Sequence, residues 1–391
     1  MVDLAPALLI LGTRGIPAAH GGFETFAERL ALYLAGRGWR VGVYCQEEVE
    51  RVRNRVSSRM WNGVELITVE VALRGPAATL AFDALCVRDA AARGGVCLVL
   101  GYNGAAFLPY LRARGGRILT NMDGIEWRRP KWSMPVRAYF YVSEWIAAWS
   151  SQRLVADHPA IADHLARRRP RRAIATIPYG GDPPPADPAP PPLGLEPGRY
   201  LVSIARIEPD NNILTIVEAF SRRPRGMRLV VLGTLSVSNP YHRAVEDAAG
   251  PEVLLPGALY EAERVQALRV HARAYLHGHT VGGTNPSLVE ALWAGNAVIA
   301  HDNPFNRGTA GDGQFYFTDS ASCASAIERV LADDNAVAAA RKAARARAES
   351  FRWDDVLAAY EAEARRVGGY PPLPPRATIG SPDSVTVGNE W

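Results

Sequence analysis

From Gly180 the chain reads Gly-Gly-Asp-Pro-Pro-Pro-Ala-Asp-Pro-Ala-Pro-Pro-Pro, and prolines and glycines recur as far as Gly198. So dense a proline run cannot hold a regular helix, because each ring removes a backbone donor and clashes one turn back, and it cannot lie inside a sheet. The stretch 181–198 is therefore a linker. It divides 391 residues, 48% of them apolar, into two lengths that can each bury a core.

On both sides of the linker, strand-like runs alternate with helix-like ones. Strands are expected at 7–12, 41–45, 64–71, 96–101 and 117–122, with a helix from Glu24 on which Phe23, Phe26, Ala27, Leu30 and Leu34 recur at helical spacing. Beyond the linker, strands are expected at 200–204, 228–233, 253–255, 274–277 and 297–300, with helices near 213–220 and 286–294. This alternation belongs to parallel sheets covered by helices, so the fold class is α/β with two doubly wound, Rossmann-like domains facing a cleft. The first domain spans 1–180 and the second 199–352. A helix at 353–367 is expected to pack back toward the first domain, and 368–391, rich in Pro, Gly, Ser and Thr, to form a flexible tail.

With 44 Lys+Arg against 40 Asp+Glu, the net charge of +4 argues against nucleic acid as a partner. Cys45, Cys86, Cys97 and Cys323 show no paired or metal-ligating spacing and read as reduced residues of a cytoplasmic protein. The apolar start at 1–11 lacks a basic leader and reads as a first buried strand, and no run reaches the ~18 apolar residues that cross a bilayer.

Three segments carry chemistry. The first loop, Gly12-Thr-Arg-Gly-Ile-Pro-Ala-Ala-His-Gly-Gly-Phe-Glu-Thr, leads from a strand into a helix, where glycines admit a ligand and the helix start attracts an anion. Its candidates are Arg14, Gly21 and Gly22, with His20 and Glu24 beside them. It is neither a dinucleotide fingerprint nor a Walker loop. The second segment runs from His277 to Gly295: Gly282, Gly283, Thr284 and Asn285 form a loop, Pro286 opens a helix, and Ser287, Leu288 and Val289 are expected to aim free N–H groups at a diphosphate. Glu290, one turn in, would accept hydrogen bonds from ribose hydroxyls. The third, Asn121-Met-Asp-Gly-Ile-Glu-Trp, follows a strand and offers Asp123, then Glu126, as carboxylates able to orient or deprotonate a hydroxyl, with Trp127 beside them. A plain Asp-Gly turn with a solvated carboxylate is the competing account.

The second segment resembles the donor site of GT-B glycosyltransferases of family 4. In that family it contains an E-x7-E motif, whose second glutamate matches Glu290 while Gly282 takes the place of the first. The family also sets an Arg and a Lys after the first strand of the C-terminal domain; these align with Arg206 and Asn211, so the lysine is absent. The His20-Gly-Gly-Phe-Glu-Thr loop, the Asn121 segment and Ala205-Arg-Ile-Glu-Pro-Asp-Asn-Asn together resemble a narrower branch, the bacterial β-1,4-rhamnosyltransferases of capsule and exopolysaccharide assembly. The resemblance implies a retaining hexosyltransferase that takes L-rhamnose from dTDP-rhamnose to a saccharide on a polyprenyl diphosphate. In that reading Asp123, Glu126, Arg206 and Glu290 are the catalytic candidates, Arg14, Gly21, Gly22, Arg206, Asn211 and the second segment from Gly282 to Glu290 lie on the donor side, and His20, Glu24, Asp123 and Trp127 lie on the acceptor side.

No Asp-x-Asp occurs and no cluster has metal spacing, so neither a metal nor a cofactor is expected. His277 and His279 read as part of the donor pocket rather than as a zinc site. From Trp127 to Arg172, tryptophans and arginines concentrate in a way that suits an anionic membrane surface, with core packing of the rings and a solvated basic face as the competing account. Two alternatives stay open: a UDP- or GDP-sugar donor, and a catalytically inactive nucleotide-sugar-binding protein.

Overall fold

A computed structural model describes residues 5–18, 21–52 and 55–372. The first sheet has the order β3-β4-β2-β1-β5-β6-β7-β8. Its strands are β1 (Ala7–Leu11), β2 (Arg40–Glu48), β3 (Val56–Trp61), β4 (Val64–Val71), β5 (Val96–Leu100), β6 (Arg117–Asn121), β7 (Arg153–Ala156) and β8 (Ile174–Thr176). All pair in parallel except β3, an antiparallel edge strand whose middle, Ser57 to Met60, is exposed. β5, Val-Cys-Leu-Val-Leu, is buried at every position, as a strand covered on both faces requires.

The second sheet has the order β11-β10-β9-β12-β13-β14, with β9 (Tyr200–Ile204), β10 (Arg228–Leu232), β11 (Val253–Gly257), β12 (Ala274–His277), β13 (Ala297–His301) and β14 (Phe315–Phe317). Strand order reverses about β1, which pairs with β2 and β5, and about β9, which pairs with β10 and β12. A crevice opens beyond the C-terminal ends of the strands at each reversal, so the loops after Leu11 and Ile204 are placed to hold ligands.

Between β8 and β9 the proline-rich stretch forms no regular element beyond a single bridge, Gly181 to Arg352. The helix Trp353–Gly368 returns to the first sheet. Trp353, Val356, Leu357, Tyr360 and Ala364 are buried among Leu8, Ile10, Phe26 and Leu30, with the Phe26 and Tyr360 ring centroids 4.5 Å apart. Its fully buried Glu361 accepts hydrogen bonds from Arg37 Nε (2.7 Å) and Trp39 Nε1 (3.1 Å). The packed chain extends past the expected start of the tail: Tyr370 lies edge-on to Trp39 and its hydroxyl accepts the Ala7 N–H. Residues 373–391 of the expected tail lie outside the described residues. Among the described residues, no helix is long and apolar enough to cross a membrane.

Candidate active site

Asp123 follows β6 directly. Asn121, the last residue of that strand, accepts the Asp123 N–H on Oδ1 (2.9 Å) and donates through Nδ2 to Tyr360 Oη (2.8 Å), so the returning helix fixes the turn. Asp123 itself has φ 51°, a left-handed conformation that aspartate tolerates better than most residues. The Tyr102 hydroxyl donates to Gly124 O (3.1 Å) and accepts the Glu126 N–H (2.8 Å). Glu126 pairs with Arg129 Nε at 2.8 Å and accepts Trp132 Nε1 at 3.2 Å. Burial raises the pKa of both Asp123 and Glu126, against an opposing pull from Arg129 on each and from Arg206 on Asp123.

The opposite wall comes from the second domain. Gly282 has φ +136°, which a side-chain-bearing residue rarely adopts, so the backbone itself accounts for glycine where the family resemblance places a glutamate. Thr284 donates its N–H to Asp157 Oδ2 (3.0 Å) and its hydroxyl to Asp157 O (2.5 Å), fastening this loop to the end of β7. A Cβ on Gly283 would stand 1.9 Å from Asp157 Oδ1, so only glycine allows that approach. Burial pushes the Asp157 carboxyl well above its ordinary range, with the negative charge of Asp123 adding to the effect.

The helix Pro286–Trp293 does not offer the expected free N–H groups. Asn285 Oδ1 accepts the Ser287 N–H at 3.0 Å, and Asn285 O accepts those of Leu288 and Val289, both at 3.1 Å. An asparagine N-cap and ordinary first-turn bonding already use them. The Ser287 hydroxyl donates to Ile204 O (3.0 Å) and bonds the Tyr275 hydroxyl. Glu290 keeps a partly exposed carboxylate, held at 2.5 Å by Nη2 of the largely buried Arg269.

Asp123, Glu126, Arg14 and Arg206 line one cleft of about 840 Å³, together with Arg129, Lys131, Trp132 and Tyr139. Arg206 reaches it from the second domain with a side chain 67% exposed and Glu208 at 3.4 Å. Two further ion pairs cross between the domains here, Lys131 to Glu208 (3.5 Å) and Arg129 to Asp210 (3.9 Å). Asn211 does not reach the cleft: its buried amide donates to Arg206 O (2.8 Å) and closes the arginine's loop. Glu24 turns into the first loop, accepting from Thr13 Oγ1 (3.3 Å) and the Arg14 N–H (3.2 Å). Gly21 precedes the helix Gly22–Ala35, and a Cβ on Gly22 would lie 3.2 Å from Pro286 Cγ, so the starts of two helices meet across the domains. Trp127 faces away from the cleft and donates its indole N–H to Glu144 Oε2 (3.0 Å), while Trp132 takes the lining position. His20 lies outside the described residues.

Asp157, Arg269, Arg129 and Asp83 join this region without having been singled out in the sequence. Asp83 lines an adjoining pocket of about 220 Å³ with Thr13, Arg14 and Glu24, and burial pushes its carboxyl up to about 7. Its signal was an acid on the otherwise apolar inner face of the helix Pro76–Arg93. His277 and His279 stack at 4.2 Å; burial is the main cause holding the His279 imidazole down to about 3, so both rings are neutral.

Two doubly wound sheets, a cleft between them and a glycine loop leading into the second domain's helix make up the GT-B fold. Residues 190–347 match the family described as glycosyl transferases group 1, and residues 6–182 match a domain of unknown function, DUF1972. The chain is a glycosyltransferase by the match of residues 190–347 to the group 1 model. A comparison with curated protein sequences finds no match. Sucrose-phosphate synthase from Thermosynechococcus elongatus is similar in structure, with TM-score 0.76 and 17% identity over 93% of this chain and 99% of that one. An α,α-trehalose-phosphate synthase (UDP-forming) from Burkholderia vietnamiensis gives 0.74 and 14% over 93% and 99%. The trehalose-6-phosphate enzyme of E. coli, bound with UDP-2-fluoro glucose, gives 0.71 and 11% over 92% and 99%.

Proposed function

We propose that the chain transfers L-rhamnose from dTDP-rhamnose, with retention, to a saccharide carried on a polyprenyl diphosphate, at the cytoplasmic face of the membrane where cell-surface polysaccharide is assembled. The observation that carries the reading is the convergence of Asp123 and Arg206, from opposite domains, on one cleft. Arg206 meets the diphosphate charge that grows as the sugar departs, and Arg14, Gly21 and Gly22 close on it from the first domain. Glu290, oriented by Arg269, accepts from the ribose hydroxyls. The loop Gly282, Gly283 and Thr284 shapes the sugar site, while Asn285, Ser287, Leu288 and Asn211 act by holding that loop, the following helix and the Arg206 loop in place.

In the transfer the bond from C1 to the phosphate oxygen breaks and a bond from C1 to the acceptor oxygen forms on the same face. The acceptor proton goes to Asp123, whose raised pKa suits it to hold one, with Glu126 as the second carboxyl in reach. The cationic residues Arg14, Arg129, Lys131 and Arg206 with the apolar Leu80, Trp132 and Val136 suit an acceptor that joins a diphosphate to a hydrocarbon tail.

A second reading has a specific observation behind it: the similar structures include a UDP-forming enzyme and one bound with UDP-2-fluoro glucose, which favours a UDP-sugar donor. Incubation with dTDP-rhamnose, UDP-glucose and GDP-mannose in turn, with a lipid-diphosphate glucose acceptor and mass analysis, separates the readings. A gain of one deoxyhexose from dTDP-rhamnose is expected. A gain of one hexose from UDP-glucose with none from dTDP-rhamnose supports the second reading, and binding without release of nucleoside diphosphate from any donor marks an inactive binding protein.

A further inference from the structure

The helix Met134–Ser150 buries one face and turns the other largely to solvent. Phe140, Ser143, Glu144, Ala147 and Ala148 point into the first domain. Met134, Tyr141, Val142 and Trp149 stand on the outer face, with Val142 53% and Trp149 60% exposed. Positions 134, 138, 141, 142, 145 and 149 recur at the helical period, so the outer surface is one apolar and aromatic stripe. An exposed stripe of this kind marks a contact surface rather than an ordinary solvated helix.

Arginines border the stripe and lie against its rings. Arg168 sits over Tyr141 at 5.0 Å and over Trp145 at 4.7 Å, and Arg169 over Trp149 at 5.1 Å. Burial, then the positive charges of Arg112 and Arg172, lower the pKa of Arg169, so three guanidiniums crowd one end of the helix. The only acid on the helix, Glu144, is buried and already bonded by His164 and Arg168. Asp163, on the helix Pro159–Leu165, is exposed.

We propose that this outer face docks on an anionic lipid bilayer, with Tyr141, Val142 and Trp149 entering the headgroup region and Arg112, Arg169 and Arg172 meeting lipid phosphates. Rings backed by arginine suit the boundary between acyl chains and water, and a cationic rim is attracted to anionic headgroups. A second copy of the chain is a poorer occupant, because a two-fold pairing of this face would set its arginines against one another. The first turns of the same helix supply Pro135, Val136, Tyr139 and Phe140 to the cleft, so docking brings the cleft mouth to the lipid surface. The use of that placement for catalysis rests on the lipid-linked acceptor proposed above; the docking itself does not.

The test is co-sedimentation of the full chain with vesicles of phosphatidylcholine alone and of phosphatidylcholine with 30 mol% phosphatidylglycerol (a fraction of roughly physiological order), at low and high salt. The expected result is at least about tenfold stronger partition into anionic vesicles, weakened by salt. Val142→Ser with Trp149→Ser, and separately Arg112→Gln with Arg172→Gln, each lower that partition about tenfold while the melting curve and transfer to a short-chain, water-soluble acceptor stay unchanged. Equal partition into neutral and anionic vesicles overturns the proposal. So does unchanged partition in both variants, or a dimer in sedimentation velocity that the Val142→Ser, Trp149→Ser variant abolishes. If transfer fails with every donor but anionic partition persists, the function proposed above is wrong and the docking surface stands.

Discussion

Asp157 shows how one residue acts through its position between domains. It binds Thr284 through both its carboxylate and its backbone carbonyl, 127 positions away in sequence, and one carboxylate oxygen is buried without a hydrogen-bond partner among the described residues. Asp157→Ala removes the side-chain half of that fastening, and kcat/KM is expected to fall tenfold or more, about 1.4 kcal/mol, with the melting curve little changed. Steady-state kinetics on the donor check this. Asp83 gives a second prediction. Its folded pKa, about 7, lies above the ordinary carboxylate value, so the folded form holds a proton that the unfolded chain releases, and stability falls as pH rises between the two values. Asp83→Asn removes the cost, so its gain in thermal midpoint over the parent is larger at pH 8 than at pH 5; an equal gain at both contradicts the assignment. The places of Asp123 and Arg206 on the cleft were legible because each follows a strand end in a local motif. Asp157 and Arg269 were not, since each gains its role only from a partner that folding brings near. Trp127 misled because its neighbours in sequence face the cleft and it does not.

Elements were legible where short runs are buried at every position, as in β5 and β12. The helix Trp353–Gly368 was also readable, from apolar residues at helical spacing. The edge strand Val56–Trp61 was missed because its Ser-Ser-Arg middle faces solvent, and Pro76–Arg93 because alanines blur its apolar stripe. The start of the helix Pro286–Trp293 was read as an anion site when its first N–H groups are already capped by Asn285. Asn285→Ala is therefore expected to cost about 1 kcal/mol of stability, the usual worth of an N-cap, and to leave donor affinity unchanged. Calorimetric unfolding and donor titration check the two halves; a large loss of affinity without loss of stability would show that Asn285 touches the donor directly.

At the scale of the whole molecule, the two sheets and the break between them followed from one proline-rich stretch and the alternation around it. The fit between domains did not, because it depends on approaches such as Gly22 to Pro286 and Gly283 to Asp157 that no local pattern announces. These approaches set Arg206 of one domain and Asp123 of the other on a single cleft, and that pairing is the core of the proposed chemistry. The most direct test measures single-turnover formation of glycosylated lipid in the parent, Asp123→Asn and Arg206→Ala chains, each saturated with the productive donor. Both variants are expected to stay folded and to lose a hundredfold or more in rate, about 2.7 kcal/mol. Turnover by Asp123→Asn at the parent rate would contradict the account.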